Sequence, residues 1–197
     1  MNYILPCWIL FCILRASISS TLNVMPNNCM VGSYRSTTGP FNGCSGFKTC
    51  ELGYYCKDLV RFPCPPGRYG SSTALQNSTC SGECPSGYYC PQQSISPNGF
   101  PCGDVQNYCP PGSFMPSVTA IGYYTINSNK SNDDENTRSS QILCPPGSYC
   151  TNARKFLCPF GTFGEASGLT TKNCSGLCPE GWYCPPGTID KLGYSCT

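Results

Sequence analysis

Cysteine is the one side chain present here in the number and spacing that chemistry would need: 19 of 197 residues are cysteine, and none is histidine. Without imidazole, the Ser-His-Asp and Cys-His nucleophile arrangements and every histidine-containing zinc site are excluded. The thiols are left with oxidation to disulfides or with metal binding by thiolate alone. Their spacings lack the Cys-x-x-Cys pairs of zinc ribbons, so disulfides are the expectation. No catalytic, cofactor-binding or metal-binding residue is assigned, and an enzyme is not expected.

The other candidates each admit a plainer reading. Asp133, Asp134 and Glu135 could hold calcium, but they lack the glycine and alternating ligands of an EF-hand and read as solvated charge. Lys130, Arg138, Arg154, Lys155 and Lys172 are dispersed along the chain and read as ordinary surface. With a formal net charge of +2 they leave no basic footprint for nucleic acid. Tyr55, Tyr89, Tyr149 and Tyr183 recur beside a cysteine, either as a repeated ligand-contact face or as the small core of a cysteine-rich module. Asn77-Ser-Thr, Asn129-Lys-Ser and Asn173-Cys-Ser are glycosylation sequons. The first two lie in polar loops suited to a glycan; the third has a cysteine, and so a disulfide, at its centre.

The compartment is read from the N-terminus. Tyr3 to Leu14 is an apolar run of 12 residues followed by Arg15 and the small residues of 16–20, the pattern of a signal peptide over residues 1–20. The run is too short to span a bilayer, and no second apolar run follows, so no membrane span is expected after cleavage. Cleavage removes Cys7 and Cys12 and exports the remaining 17 cysteines to an oxidising environment. A secreted location, or the extracellular face of a cell surface, follows.

The elements that hold these cysteines repeat. Cys50, Cys56, Cys64, Cys80, Cys84, Cys90 and Cys102 have counterparts 94 residues on, at Cys144, Cys150, Cys158, Cys174, Cys178, Cys184 and Cys196. One shared offset for seven cysteines is a tandem duplication. Each copy is itself double, because Cys-x-x-Gly-x-Tyr-Cys starts at Cys50, Cys84, Cys144 and Cys178. An aromatic stands two residues before the next cysteine in each case: Phe62, Phe100, Phe156 and Tyr194. A fourth cysteine closes three of these half-units, at Cys80, Cys109 and Cys174. Two disulfides per half-unit allow three connectivities, and spacing does not choose among them. Cys29 and Cys44 fall outside the register and are expected to pair in a degenerate cap.

The duplication divides the chain into a signal peptide (1–20), a cap (21–49), repeat 1 (50–109), a linker with a polar loop (110–143) and repeat 2 (144–197). Leu, Ile, Val and Phe total 35, and eight of them lie in the first 18 residues, too few for an ordinary core. The expected fold is small and disulfide-rich: elongated tandem modules of short β-strands and turns, with almost no helix outside the signal peptide. The Cys-Pro-x-Gly segments open tight turns, and the polar stretch Asn127–Ser140 reads as a flexible loop.

Cys64 to Cys84 (CPPGRYGSSTALQNSTCSGEC) and Cys158 to Cys178 (CPFGTFGEASGLTTKNCSGLC) resemble the ephrin-receptor-like cysteine-rich repeat, similar also in style to EGF-like modules. The resemblance covers roughly residues 44–197 and departs at Met115, where CPPGSFM lacks its second cysteine. It implies an extracellular or cell-surface glycoprotein region serving binding, adhesion or spacing, with an unknown protein or glycan ligand and no catalytic residues. The alternative is a free-standing secreted inhibitor or effector. The repeat counterpart of Cys109 would fall six residues past Thr197, so a fragment of a longer array is expected, with Cys178, Cys184 or Cys196 unpartnered.

Overall fold

The computed structural model describes residues 31–36, 46–128 and 134–196. The signal peptide, the expected Cys29–Cys44 pair, Asp133, Lys130 and the sequon at Asn129 lie outside them.

The recurring local unit is a four-residue turn. In Cys64-Pro65-Pro66-Gly67, Pro66 fixes its own φ, Gly67 takes φ +82°, and the Arg68 N–H donates to the Pro65 carbonyl at 3.2 Å. Proline followed by positive φ is a type II turn. The same closing bond is made by the N–H of Tyr54, Tyr88, Ser94, Ser113, Tyr123, Ser148, Thr162, Trp182 and Thr188. A turn at such short intervals leaves room only for brief strands.

Those strands pair two by two, always antiparallel. Strand β1 (Ser33–Arg35) pairs with β2 (Phe47–Thr49), β3 (Tyr54–Lys57) with β4 (Val60–Pro63), and β5 (Arg68–Tyr69) with β6 (Gly82–Glu83). Strand β7 (Asn107–Tyr108) pairs with β8 (Ser117–Val118), and β9 (Tyr123–Ile126) with β10 (Ser140–Leu143). In the second copy β11 (Ser148–Thr151) pairs with β12 (Arg154–Leu157), β13 (Thr162–Phe163) with β14 (Gly176–Leu177), and β15 (Trp182–Tyr183) with β16 (Tyr194–Ser195). Eight two-stranded sheets, a single 3-10 turn at Glu135–Thr137 and no α-helix make up the described residues.

The turns, not the strands, join one unit to the next. The Gly67 N–H donates to the Cys90 carbonyl at 2.8 Å while the Gln93 N–H donates to the Cys64 carbonyl at 2.9 Å. Gly87 with Cys109 and Gly112 with Cys84 make the same reciprocal pair, as do Gly161 with Cys184 and Gly187 with Cys158. A disulfide backs each junction: Cys50–Cys56, Cys64–Cys80, Cys84–Cys90 and Cys102–Cys109, then Cys144–Cys150, Cys158–Cys174 and Cys178–Cys184. Of the three connectivities open from spacing, the chain takes the one that links consecutive cysteines. Cys196 is exposed and outside any disulfide.

The core is correspondingly made of sulfur. Among the described residues the buried apolar side chains are eleven half-cystines with Val105 and Ala153, and no Leu, Ile or Phe is among them. The fold is therefore a small disulfide-rich assembly of strands and turns.

Residues 134–140 depart from the flexible loop expected of 127–140. Their described part, from Asp134, is tied down: the Asp134 carboxylate caps the 3-10 turn by accepting from the Asn136 N–H. The carbonyls of Asn136 and Arg138 accept from the N–H groups of Gly103 and Cys109 at 3.0 and 2.9 Å. Polar composition does not leave residues 134–140 unattached, because two of their carbonyls are taken up by repeat 1 and the Ser139 N–H by Ile126.

A candidate ligand-binding surface

The β3–β4 and β11–β12 hairpins turn on two residues each, Asp58-Leu59 (φ 51° and 64°) and Asn152-Ala153 (φ 50° and 58°). Two consecutive positive φ values define a type I′ turn, whose twist matches the flanking strands. The resulting register puts Tyr55 opposite Phe62 and Tyr149 opposite Phe156. Tyr183 faces Tyr194 in β15–β16, and the Tyr89 N–H donates to the Phe100 carbonyl. The four ring pairs sit at centroid distances of 5.4, 5.4, 5.5 and 5.3 Å. Such pairs contribute about 0.5–1.5 kcal/mol beyond area burial. Phe62, Phe100, Phe156, Tyr183 and Tyr194 nevertheless stay exposed, at 39% to 55%. The repeated tyrosines thus lock their hairpins while the rings keep a face in solvent.

Each copy is preceded by a hairpin that leans on its first sheet. Strand β1 contacts β3 and β4, and β9 contacts β11 and β12. The Cys50 N–H donates to the Gly32 carbonyl at 2.9 Å, and the Cys144 N–H to the Gly122 carbonyl at 2.9 Å. Tyr34 of β1 therefore corresponds to Tyr124 of β9. Two equivalent joints result, one before each copy.

The first joint is closed by charge. The Arg61 guanidinium lies over the Tyr34 and Tyr54 rings at 5.0 and 4.4 Å. Glu51 accepts from Tyr34 Oη at 2.9 Å and from Arg61 at 3.2 Å. Burial works to raise the Glu51 carboxyl, but hydrogen bonds from its own backbone, Tyr34 and Arg61 hold it below its ordinary value. Tyr34 is pushed up, chiefly by donating to Glu51, and Arg61 is raised by the same carboxylate.

The second joint differs. Lys155 stands in the place of Arg61, 5.2 Å above the Tyr124 ring, but Pro145 replaces Glu51. Arg154 replaces Val60 and pairs with Glu135 at 2.6 Å. Asp134 is held below its ordinary carboxyl value, first by the Asn136 N–H. A cleft of about 320 Å³ opens between β9 and β12, lined by Arg138, Arg154, Lys155, Tyr124 and Phe156 among others.

This corrects the reading of those cations as dispersed surface. Arg138 is only 7% exposed, and it lines one cleft with Arg154 and Lys155; Lys172 stays exposed and takes no part. Tyr124, not singled out from the sequence, forms a wall, and its signal was the Gly122-Tyr123-Tyr124 match to Gly53-Tyr54-Tyr55. Of the acidic run, Asp134 caps a turn and Glu135 pairs with Arg154. Among the described residues no group of three metal-ligating side chains occurs.

Asn77 and Asn173 are both exposed. Asn77 Oδ1 accepts from the Thr79 N–H at 3.0 Å and from the Thr79 hydroxyl. Cys174, at the centre of the third sequon, is bonded to Cys158. No protein-family model matches the chain, and no curated protein matches it.

Proposed function

We propose that this chain is an extracellular or cell-surface cysteine-rich repeat region that binds, adheres or spaces, and that it has no catalytic role. The observation that carries the reading is the reciprocal bonding of successive disulfide-backed turns, such as Gly67 to Cys90 and Gln93 to Cys64. Units fixed in this way need no shared apolar core, and each is free to present its loops and rings to a partner. The seven disulfides among the described residues fit an oxidising compartment, where such bonds persist. Among the described residues no helix is long and apolar enough to cross a membrane. The resemblance to ephrin-receptor-like repeats supports the same reading.

Expression of the whole chain, tagged at its C-terminus, in a eukaryotic secretory host tests it. The expected product is oxidised, carries glycan at Asn77 removable by an amidase, and appears in the medium or on the cell surface. Recovery as a reduced cytosolic protein would overturn the reading.

A further inference from the structure

The turn at Cys178 differs from its counterpart in the first copy by what covers it. There the turn Cys84-Pro85-Ser86-Gly87 is capped by a second one, Cys109-Pro110-Pro111-Gly112. The Gly87 N–H donates to the Cys109 carbonyl and the Gly112 N–H to the Cys84 carbonyl, both at 2.8 Å, while the Cys90 N–H donates to the Ser113 carbonyl at 2.9 Å. The Cys102–Cys109 disulfide fastens the cap. A Cβ on Gly67 would lie 2.3 Å from the Gly112 carbonyl oxygen, so the cap also covers the preceding turn.

The same five positions recur 94 residues on, at Cys178, Gly181, Cys184, Cys196 and Gly161. Among the described residues the Gly181 N–H, the Cys178 carbonyl and the Cys184 N–H have no backbone partner, and Cys196 is outside any disulfide. The Cβ positions of Gly161 and Gly181 have nothing within 4 Å. Cys84 and Cys102 are sealed, at 0% and 2% exposure, whereas Cys178 is half-buried and Cys196 exposed. Cys184 is fully buried, so its N–H has lost water without gaining an acceptor, a state in which few backbone donors are left.

We propose that the Cys178–Gly181 turn, with Gly161 and the Cys196 thiol, is a docking site for a Cys-Pro-Pro-Gly turn of a further half-unit of this repeat class. The site continues an interface that the chain builds three times within itself, and that continuity names the occupant. Its cysteine carbonyl accepts from Gly181, its glycine N–H donates to Cys178, and the carbonyl after that glycine accepts from Cys184. Cys196, whose own N–H donates to the Gly181 carbonyl at 2.9 Å, supplies the covalent lock. Its thiolate attacks the occupant's cysteine sulfur where that is held in a mixed disulfide with a small thiol. The new sulfur–sulfur bond forms as the old one breaks, and the small thiol leaves with the electron pair and takes up the proton that Cys196 gave. The extracellular reading enters only through the oxidising setting that this exchange needs.

The probe is a synthetic peptide of residues 103–116 of this chain, its Cys109 held as the mixed disulfide with glutathione, equilibrated with the oxidised whole chain in a glutathione buffer. Mass spectrometry reads the adduct at Cys196. Capture is expected to exceed that of the same peptide carrying Gly112→Val by about tenfold, because valine resists the φ of +74° that the docked turn needs. Gly161→Ala in the whole chain puts a Cβ where the docked glycine carbonyl must lie, and should lower capture of the parent peptide by about tenfold. Its exchange with glutathione disulfide alone should stay within about twofold of the parent chain, and an intact disulfide map shows that it has folded. In the peptide adduct the Gly181 and Cys184 amides should exchange hydrogen about tenfold more slowly than in the glutathione adduct. Equal capture of the two peptides, no effect of Gly161→Ala, or unslowed amides would each overturn the docking site. A Cys196-to-Cys196 dimer that forms in preference to the adduct would make this a face between two copies and would reject the turn as occupant. Capture is measured on purified protein, so failure here leaves the secretion experiment untouched, and failure of secretion leaves this result standing.

Discussion

At the scale of single residues, the turn glycines differ in what they would cost to replace. Gly147 has φ +76°, and a Cβ there would lie 2.4 Å from the Gly187 carbonyl oxygen, a backbone atom in the neighbouring turn. Gly161 has nearly the same φ, +79°, with nothing within 4 Å of its Cβ position. Gly161→Ala should therefore cost only the left-handed penalty, about 1–2 kcal/mol. Gly147→Ala should cost clearly more, because it also forces two turns apart. Gln93 sits at φ +70° in the position that Gly187 fills in the second copy. Gln93→Gly should then be neutral to stabilising, by at most about 1 kcal/mol, since relief of strain is partly offset by chain entropy. Denaturant midpoints of the three oxidised variants would check this, and equal losses for Gly147→Ala and Gly161→Ala would refute the turn-to-turn contact. The Glu51 carboxyl has a folded value below its unfolded one, so its contribution to stability is complete above the ordinary carboxylate range, near about 4.3. That contribution is lost as pH falls through the lower folded value. Glu51→Gln should flatten the acid side of a stability-pH curve measured between neutrality and pH about 3, and an unchanged slope would remove Glu51 from that role.

At the scale of elements, the cysteine register was legible and one half-unit was hidden. The seven matched cysteines announced the duplication, and Cys-Pro-x-Gly announced the turns, because proline and glycine act through φ whatever surrounds them. Residues 119–125 escaped because their chemistry has changed while their geometry has not. Tyr123 N–H closes a turn on Ala120, Gly122 accepts from Cys144, and Thr119 and Thr125 stand six apart, as Cys50 and Cys56 do. The Thr125 hydroxyl, 3% exposed, donates to the Val105 carbonyl at 2.6 Å and fills the place of a half-cystine. A search keyed to cysteine passes over such a unit and reads it as linker. The cleft was hidden for the same reason, since Arg138 and Arg154 converge only when β9–β10 leans on β11–β12. If the hidden unit is real, Thr119→Cys with Thr125→Cys, made in a Cys196→Ser background, should form a 119–125 disulfide. The gain expected from closing so short a loop is about 2 kcal/mol, reduced by about 1 kcal/mol for the unsatisfied Val105 carbonyl. Peptide mapping under non-reducing conditions decides: two free thiols at these positions would show that the equivalence stops at the sequence.

At the scale of the whole molecule, cohesion depends on covalent bonds to an unusual degree. Cys64 and Cys90 are joined only through the turns they open, and every junction of that kind has a disulfide behind it. With no Leu, Ile or Phe in the buried set of the described residues, apolar transfer there supplies little to offset a backbone entropy of about 1–2 kcal/mol per residue. Each disulfide restricts the unfolded ensemble by about 2–4 kcal/mol, so seven of them stand where a core would otherwise be. Reduction should remove protease resistance and the cooperative unfolding transition together. The sulfur core also bears on shape. The main contacts between elements run from each hairpin to its neighbours in sequence, β1 to β3 and β4, β9 to β11 and β12. Nothing among them gathers the two copies around one centre, and a chain organised by nearest-neighbour contacts extends with each added unit. Small-angle scattering of the oxidised protein should therefore give a radius of gyration well above the roughly 16 Å of a compact domain of this length. The free-standing secreted factor makes the opposite prediction, because a single module that closes on itself approaches the compact value. A radius near that value, unchanged at low and high salt, would reject the linear arrangement and leave the compact factor as the better account of the fold.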